Sequence, residues 1–126
     1  MDAMDTDRPR RLDPGITHLN LNVTDIERSR RFYVDVLGMT LQWEREGFLF
    51  LRSGEVDMGI IQRTPVQVDG MHFGFRLGSR AEVDTWHRYL VAHAVTILEG
   101  PFDRDDGRTF FASDPDGYSI EFYFEG

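Results

Sequence analysis

HLNLNV at residues 18–23 and HFGFRL at residues 72–77 decide how this chain is read. Successive side chains of a strand point to opposite faces. Leu19, Leu21 and Val23 therefore share one face of the first segment, and His18, Asn20 and Asn22 share the other. The second segment repeats the arrangement, with His72 first and apolar residues at alternate positions behind it. The apolar face packs on a core. The polar face looks either at water or at a site.

The likeness extends outward from both segments. A helical pattern follows each, the first opening at Thr24 with Glu27 three positions on, the second at Ser79 with Glu82. Both spacings are those of a capping box, in which the two side chains satisfy N–H groups at the helix end. Phe32, Tyr33, Val36 and Leu37 form an apolar stripe, answered by Trp86, Leu90 and Val91, and Gly38 suits the C-terminal end of the first helix. The same 54-residue offset relates His18 to His72, Phe32 to Trp86 and Val36 to Leu90. Strand-like stretches then follow in threes: TLQWE (40–44), FLFLR (48–52) and VDMGIIQ (56–62), then VTILE (95–99), RTFFAS (108–113) and YSIEFYF (118–124). Asp114-Pro115-Asp116-Gly117 joins the last two with the residues a type I turn favours.

These patterns predict an α+β domain over residues 15–126, built from two β-α-β-β-β repeats at about 15–63 and 70–126, behind a mobile arm at residues 1–14. Each repeat leaves one sheet face without a helix. Pairing those faces gives a curved mixed sheet around a cleft, into which the polar face of residues 18–23 would look.

Composition narrows the function. A formal net charge of −8 without a basic patch argues against nucleic acid as partner. The chain has no cysteine, which excludes disulfides, thiolate metal sites and a cysteine nucleophile. No apolar run is long enough for a membrane span or a signal-peptide core, so a cytoplasmic protein is the expectation.

The inward positions carry the chemistry. On the last strand Ile120, Phe122 and Phe124 form the core face, so Ser119, Glu121 and Tyr123 point to the cleft beside His18 and His72. Two imidazoles and one carboxylate are the donor set that holds a divalent metal on one side and leaves open positions on the other. A histidine opening a strand is more often merely solvated or hydrogen-bonded. The metal reading rests on coincidence: both histidines open equivalent strands, and Glu121 stands on the matching final strand. Asn20 and Arg76, two and four places beyond the histidines, and Phe111 and Tyr123 are candidates for substrate contact. His87 and His93 lie on the second helix and read as structural. Trp43, Phe48, Phe50, Phe110 and Phe111 divide between core and cleft wall, and DRDDG (103–107) reads as a solvated loop or, less readily, a lid.

HLNLNVTDIERSRRFYVDVLGM and DPDGYSIEFY resemble the opening and closing signatures of the vicinal oxygen chelate superfamily, a likeness that covers residues 15–126. That superfamily includes glyoxalase I, extradiol dioxygenases, fosfomycin-resistance enzymes, methylmalonyl-CoA epimerase and bleomycin-resistance proteins. The resemblance implies metal ligands at His18, His72 and Glu121. It also implies one divalent ion, Fe(II) or Mn(II) first and Zn(II) or Ni(II) next, a small oxygen-chelating substrate, and a homodimer. Glyoxalase I and the epimerase use a further acidic or amide ligand where this chain has Gly59, and many extradiol and fosfomycin enzymes carry a tyrosine where this chain has Phe111. The expected activity is dioxygenase-like. The alternatives are a ligand-sequestering protein of the bleomycin-resistance kind, and a lyase or transferase of the glyoxalase or fosfomycin-resistance kind. No residue is assigned as a catalytic acid or base.

Overall fold

The two opening strands each form the edge of their own sheet. A computed structural model describes residues 9, 12, 14–64, 66 and 68–126. The expected arm at 1–14 therefore lies largely outside the described residues. The first half runs β1 (His18–Val23), α1 (Ile26–Arg30, continued by a π-helical stretch Arg31–Val36), β2 (Thr40–Arg45), β3 (Phe48–Ser53) and β4 (Val56–Gln62). The second runs β5 (His72–Arg76), α2 (Arg80–Ala92), β6 (Ile97–Arg104), β7 (Gly107–Ser113) and β8 (Ser119–Glu125). The sheets have the orders β1-β4-β3-β2 and β5-β8-β7-β6. In both, the opening strand lies parallel to the closing one and the other neighbours are antiparallel. The fold is thus the duplicated α+β unit expected.

Local chemistry explains where the helices begin and end, with one departure. Asp25, not Thr24, caps α1, accepting from the N–H groups of Glu27 and Arg28. The Thr24 hydroxyl is taken instead by Asp116 at 2.6 Å, ninety-two residues away. In the second half Ser79 caps α2 as expected, and Glu82 reaches back to the N–H of Gly78, one residue before the cap. The last turns of the first helix widen: the Leu37 N–H reaches the Phe32 carbonyl, and Gly38, with φ +79°, ends the run. Phe32 and Tyr33 both become buried there. DRDDG is a tight hairpin, since β6 continues to Arg104 and β7 begins at Gly107.

One core serves both halves. It takes Leu21, Val23, Leu49, Leu51, Met58 and Ile60 from the first sheet, Phe110, Ala112, Ile120 and Phe122 from the second, and Phe32, Tyr33, Val83 and Leu90 from the helices. The helix-bearing faces of the sheets share this core, so the open faces point away from it. Polar contacts join the halves on the same side. Tyr33 donates to Asp114 Oδ2 at 2.7 Å, Tyr89 to the Val36 carbonyl at 2.6 Å, and Tyr118 to the Asn22 carbonyl at 2.8 Å. Asp114 Oδ1 also accepts the N–H groups of Asp116 and Tyr118, which shapes the turn. Burial pushes the Asp114 carboxyl above its ordinary range, against these hydrogen bonds, and pushes the Tyr33 hydroxyl well up.

Within one chain the open faces therefore do not enclose a common cleft. Among the described residues the sheets stay separate, with no ladder between the β1 and β5 edges. A strand edge carries unpaired N–H and carbonyl groups, and a sheet face with no helix over it leaves its side chains uncovered.

Candidate metal half-site

Alternation along β8 sends Glu121 to the open face of the second sheet while Ile120 and Phe122 enter the core. Its strand partners are Gly74 on β5 and Phe111 on β7, and His72 stands opposite Ser119 one step along the same face. His72 Nε2 lies 3.7 Å from Glu121 Oε1. Two ligand atoms sharing a tetrahedral ion are about 3.4 Å apart, so this pair is close to the spacing a divalent metal needs. The other carboxylate oxygen is already engaged. Thr109 donates its hydroxyl to Glu121 Oε2 at 2.7 Å, and Arg104 Nη2 stands 3.1 Å from the same atom. Thr109 is fully buried and the Glu121 side chain is 12% exposed, so the carboxylate is fixed with Oε1 turned to His72.

His18 is not part of this group. Among the described residues no three His, Asp or Glu side chains lie close enough to hold a metal ion together. His18 is exposed on the open face of the first sheet, in register with Asp57, and Asn20 follows it opposite Gly59. Beyond Gly59 that face carries an aromatic wall: Trp43 stacks against both Phe48 and Phe50, with ring centroids 5.3 and 5.1 Å away, and Arg45 lies over Trp43 and Phe48. The donor chemistry of His72 and Glu121 fits a divalent ion in part: one neutral nitrogen and one anionic oxygen, with a second imidazole presented on another surface.

The remaining candidates divide. Phe111 meets His72 edge-on at 5.7 Å, on the open face, whereas Phe110 is buried in the core. Tyr123 pairs with Arg76 and Thr109 in the ladder beside Glu121. Arg76 donates to the Glu125 carbonyl at 2.8 Å, so its guanidinium is held at the end of β8 and away from Glu121. His87 packs against Phe110 and His93 against Tyr89, as structural residues do. Sequence reasoning passed over Thr109 and Arg104. Alternation held a signal for the first: Thr109 lies two residues before Phe111 and shares its face, which is the face of Glu121.

The family model described as Glyoxalase/Bleomycin resistance protein/Dioxygenase superfamily matches residues 15–122. The metallothiol transferase FosB of Staphylococcus haemolyticus is 28% identical over 116 residues, covering 86% of this chain and 82% of that protein. The lactoylglutathione lyase of Haemophilus influenzae is 34% identical over 122 residues, covering 85% and 90%. The solved structure of a possible glyoxalase from Bacillus cereus superposes with a TM-score of 0.76 at 28% identity, covering 86% of this chain and 97% of that one. The chain belongs to the glyoxalase/bleomycin resistance protein/dioxygenase superfamily. No helix among the described residues is long and apolar enough to cross a membrane.

Proposed function

We propose that this member of the superfamily is a metal-dependent enzyme that joins a small thiol to an electrophilic substrate. It works as a homodimer in which His18 of one chain meets His72 and Glu121 of the other. The observation that carries the reading is the half-site: His72 and Glu121 stand 3.7 Å apart on one open face while His18 stands on another. A twofold arrangement that lays the first open face of each chain over the second open face of its mate completes two sites at once. A divalent ion bound there supplies Lewis-acid polarisation of a substrate oxygen. Phe111 and the Trp43, Phe48 and Phe50 wall then exclude water, and Arg104 adds positive charge that favours a thiolate over a thiol.

Transfer fits the residues better than the alternatives. The chain has no cysteine, so the sulfur must arrive with a substrate. The curated names of both relatives carry a thiol compound, which supports a thiol co-substrate here. Lyase chemistry of the glyoxalase kind needs an acid where Gly59 stands, and a Cβ built at Gly59 falls on the Asn20 side-chain oxygen and lies 3.4 Å from Phe48. The dioxygenase expectation has only the superfamily's breadth behind it. Mn(II)-loaded protein, given glutathione or cysteine and a panel of epoxides and unsaturated carbonyl compounds, should consume thiol in a metal-dependent way that Glu121→Ala abolishes. Oxygen uptake on catechols by the Fe(II)-loaded protein, with no thiol consumption on the panel, would overturn the reading in favour of an oxygenase.

A further inference from the structure

The free edge of β5 offers backbone hydrogen-bonding groups at every second residue. Among the described residues β5 pairs only with β8. Just past the strand, the Leu77 N–H bonds the Tyr123 carbonyl of β8. Backbone groups point to alternate sides along a strand. Those of Phe73 and Phe75 therefore turn to β8, and those of His72, Gly74 and Arg76 turn outward. Among the described residues the outward groups meet no other backbone. A cavity of about 470 Å3 lies beside this edge, within the range for ligand pockets, about 300–1,000 Å3. Leu19 and Met58 line it from the first half, and Met71, Phe73 and Phe75 from the second. Gly74 borders it too, with backbone atoms only.

Outward N–H and carbonyl groups beside an apolar cavity are the layout of strand addition. Main-chain bonds then give affinity, and pockets for alternate side chains give specificity. The face of each added residue follows from alternation. A residue paired with Gly74 places its side chain on the open face, the face of His72 and Glu121. Its two neighbours turn to the other side, where Phe73 and Phe75 border the cavity. Gly74 has no side chain to stand between the added residue and Glu121, its own partner on β8. The row is open at the one position where a ligand side chain would cross to the carboxylate. The chain itself has no cysteine, so a sulfur reaching that carboxylate comes on a ligand.

We propose that the β5 edge binds an extended peptide in which a cysteine pairs with Gly74 and apolar residues flank it. This rests on the thiol-transfer reading and names the thiol: a peptide cysteine, held by its main chain. The flanking side chains enter the cavity and the sulfur lies on the open face beside His72 and Glu121. In the transfer the sulfur bonds the electrophilic carbon, the carbon–oxygen bond of an epoxide opens, and the thiol proton ends on that oxygen.

The probe is acetyl-Leu-Cys-Leu-amide, kept reduced with a phosphine. Its counterparts are acetyl-Ser-Cys-Ser-amide and the leucine peptide methylated at its backbone nitrogens. Binding is read first on the metal-free protein in EDTA, by amide resonances and hydrogen exchange. The leucine peptide should shift the Gly74 resonance saturably. At saturation it should slow exchange at Gly74 and Arg76 about tenfold, and more than at Phe73 and Phe75, which already bond β8. The serine peptide loses apolar burial and the methylated one loses donors, so each should bind about tenfold or more weakly. No saturable response up to about 10 mM, a margin beyond millimolar affinity, would overturn the proposal. So would equal binding of either counterpart, or protection that favours Phe73 and Phe75. Protection at Gly74 and Arg76 that follows protein concentration without peptide would assign the edge to a second copy of the chain and overturn it equally. Mn(II)-loaded protein with an epoxide then separates this proposal from the transfer reading. The leucine peptide should exceed free cysteine in kcat/KM about tenfold. Equal values would overturn the peptide proposal and leave thiol transfer standing. Peptide binding with no thiol consumed would refute the transfer and uphold the edge as a peptide site.

Discussion

Thr109→Val isolates what holds the carboxylate of the half-site in place. The Thr109 hydroxyl donates to Glu121 Oε2 at 2.7 Å, while its other contact, the Phe122 carbonyl, is at 3.4 Å. A hydroxyl has one proton to give, so the short bond to the charged acceptor takes it. A hydrogen bond to a charged group contributes about 1.5–3 kcal/mol. Valine keeps the shape and adds an apolar group worth about 0.8 kcal/mol when buried. The net loss of stability should be about 1–2 kcal/mol, read from the urea midpoint at unchanged slope. Metal affinity should suffer more visibly. Removing a group that orients a ligand typically costs about 10–100-fold. Titration calorimetry with Mn(II) would measure that loss directly.

Thr109→Ser is the control that separates the two effects. It keeps the hydroxyl and opens a methyl-sized gap at a fully buried position, so stability falls by about 1 kcal/mol. Metal affinity should stay within about threefold of the parent, since the bond to Glu121 survives. A valine variant that binds Mn(II) as tightly as the parent would refute the reasoning. So would a serine variant that loses as much affinity as the valine.

Four further outcomes are expected. His18→Ala and Glu121→Ala chains, each defective alone, should regain one intact site per mixed dimer, and a chain that is monomeric by light scattering at micromolar concentration would exclude this. Arg104→Gln should tighten Mn(II) binding up to about fivefold by calorimetry, because the half-exposed guanidinium competes for Glu121 Oε2 through a pair worth about 1 kcal/mol at most. Tyr33→Phe should cost about 1–3 kcal/mol in urea, since Asp114 Oδ2 loses its donor. The folded Tyr33 also holds its proton where the unfolded one ionises, so parent stability should fall as the pH rises above about 10, and the phenylalanine variant should lose part of that slope.

The repeat was legible because strand alternation and the shared offset are properties of local sequence. The faces of β1 and β8 follow directly from it, down to Ile120 inside and Glu121 outside. The first helix cap was misread because Thr24 and Asp25 are both good caps, and the choice between them is made by Asp116 in a turn near the end of the chain. Arg104 was hidden for a similar reason. Its place in DRDDG says that it is exposed, and only the tight hairpin at Asp105 and Asp106 brings its guanidinium back over β8. The relation between the halves was the least accessible. Alternation names the open face of each sheet, but closing two open faces within one chain or between two buries the same residues.

The two repeats meet one packing constraint with opposite choices. Two residues beyond each opening histidine, the first strand faces the last across a parallel pair: Asn20 with Gly59 in the first half, Gly74 with Glu121 in the second. The close approach is set by backbone at Gly74 and by the Asn20 side chain at Gly59. A Cβ on Gly59 collides with the Asn20 amide, and a Cβ on Gly74 stands 3.1 Å from Glu121 Cβ and 2.8 Å from its carbonyl oxygen. The first half gives the space to an amide on the opening strand, and the second gives it to a carboxylate on the closing strand. A glycine on one strand is thus the condition for the functional group on its neighbour. The asymmetry accounts for a carboxylate in this row of the second half alone, although both halves open with a histidine. A side chain at position 59 would require the Asn20 amide to turn aside.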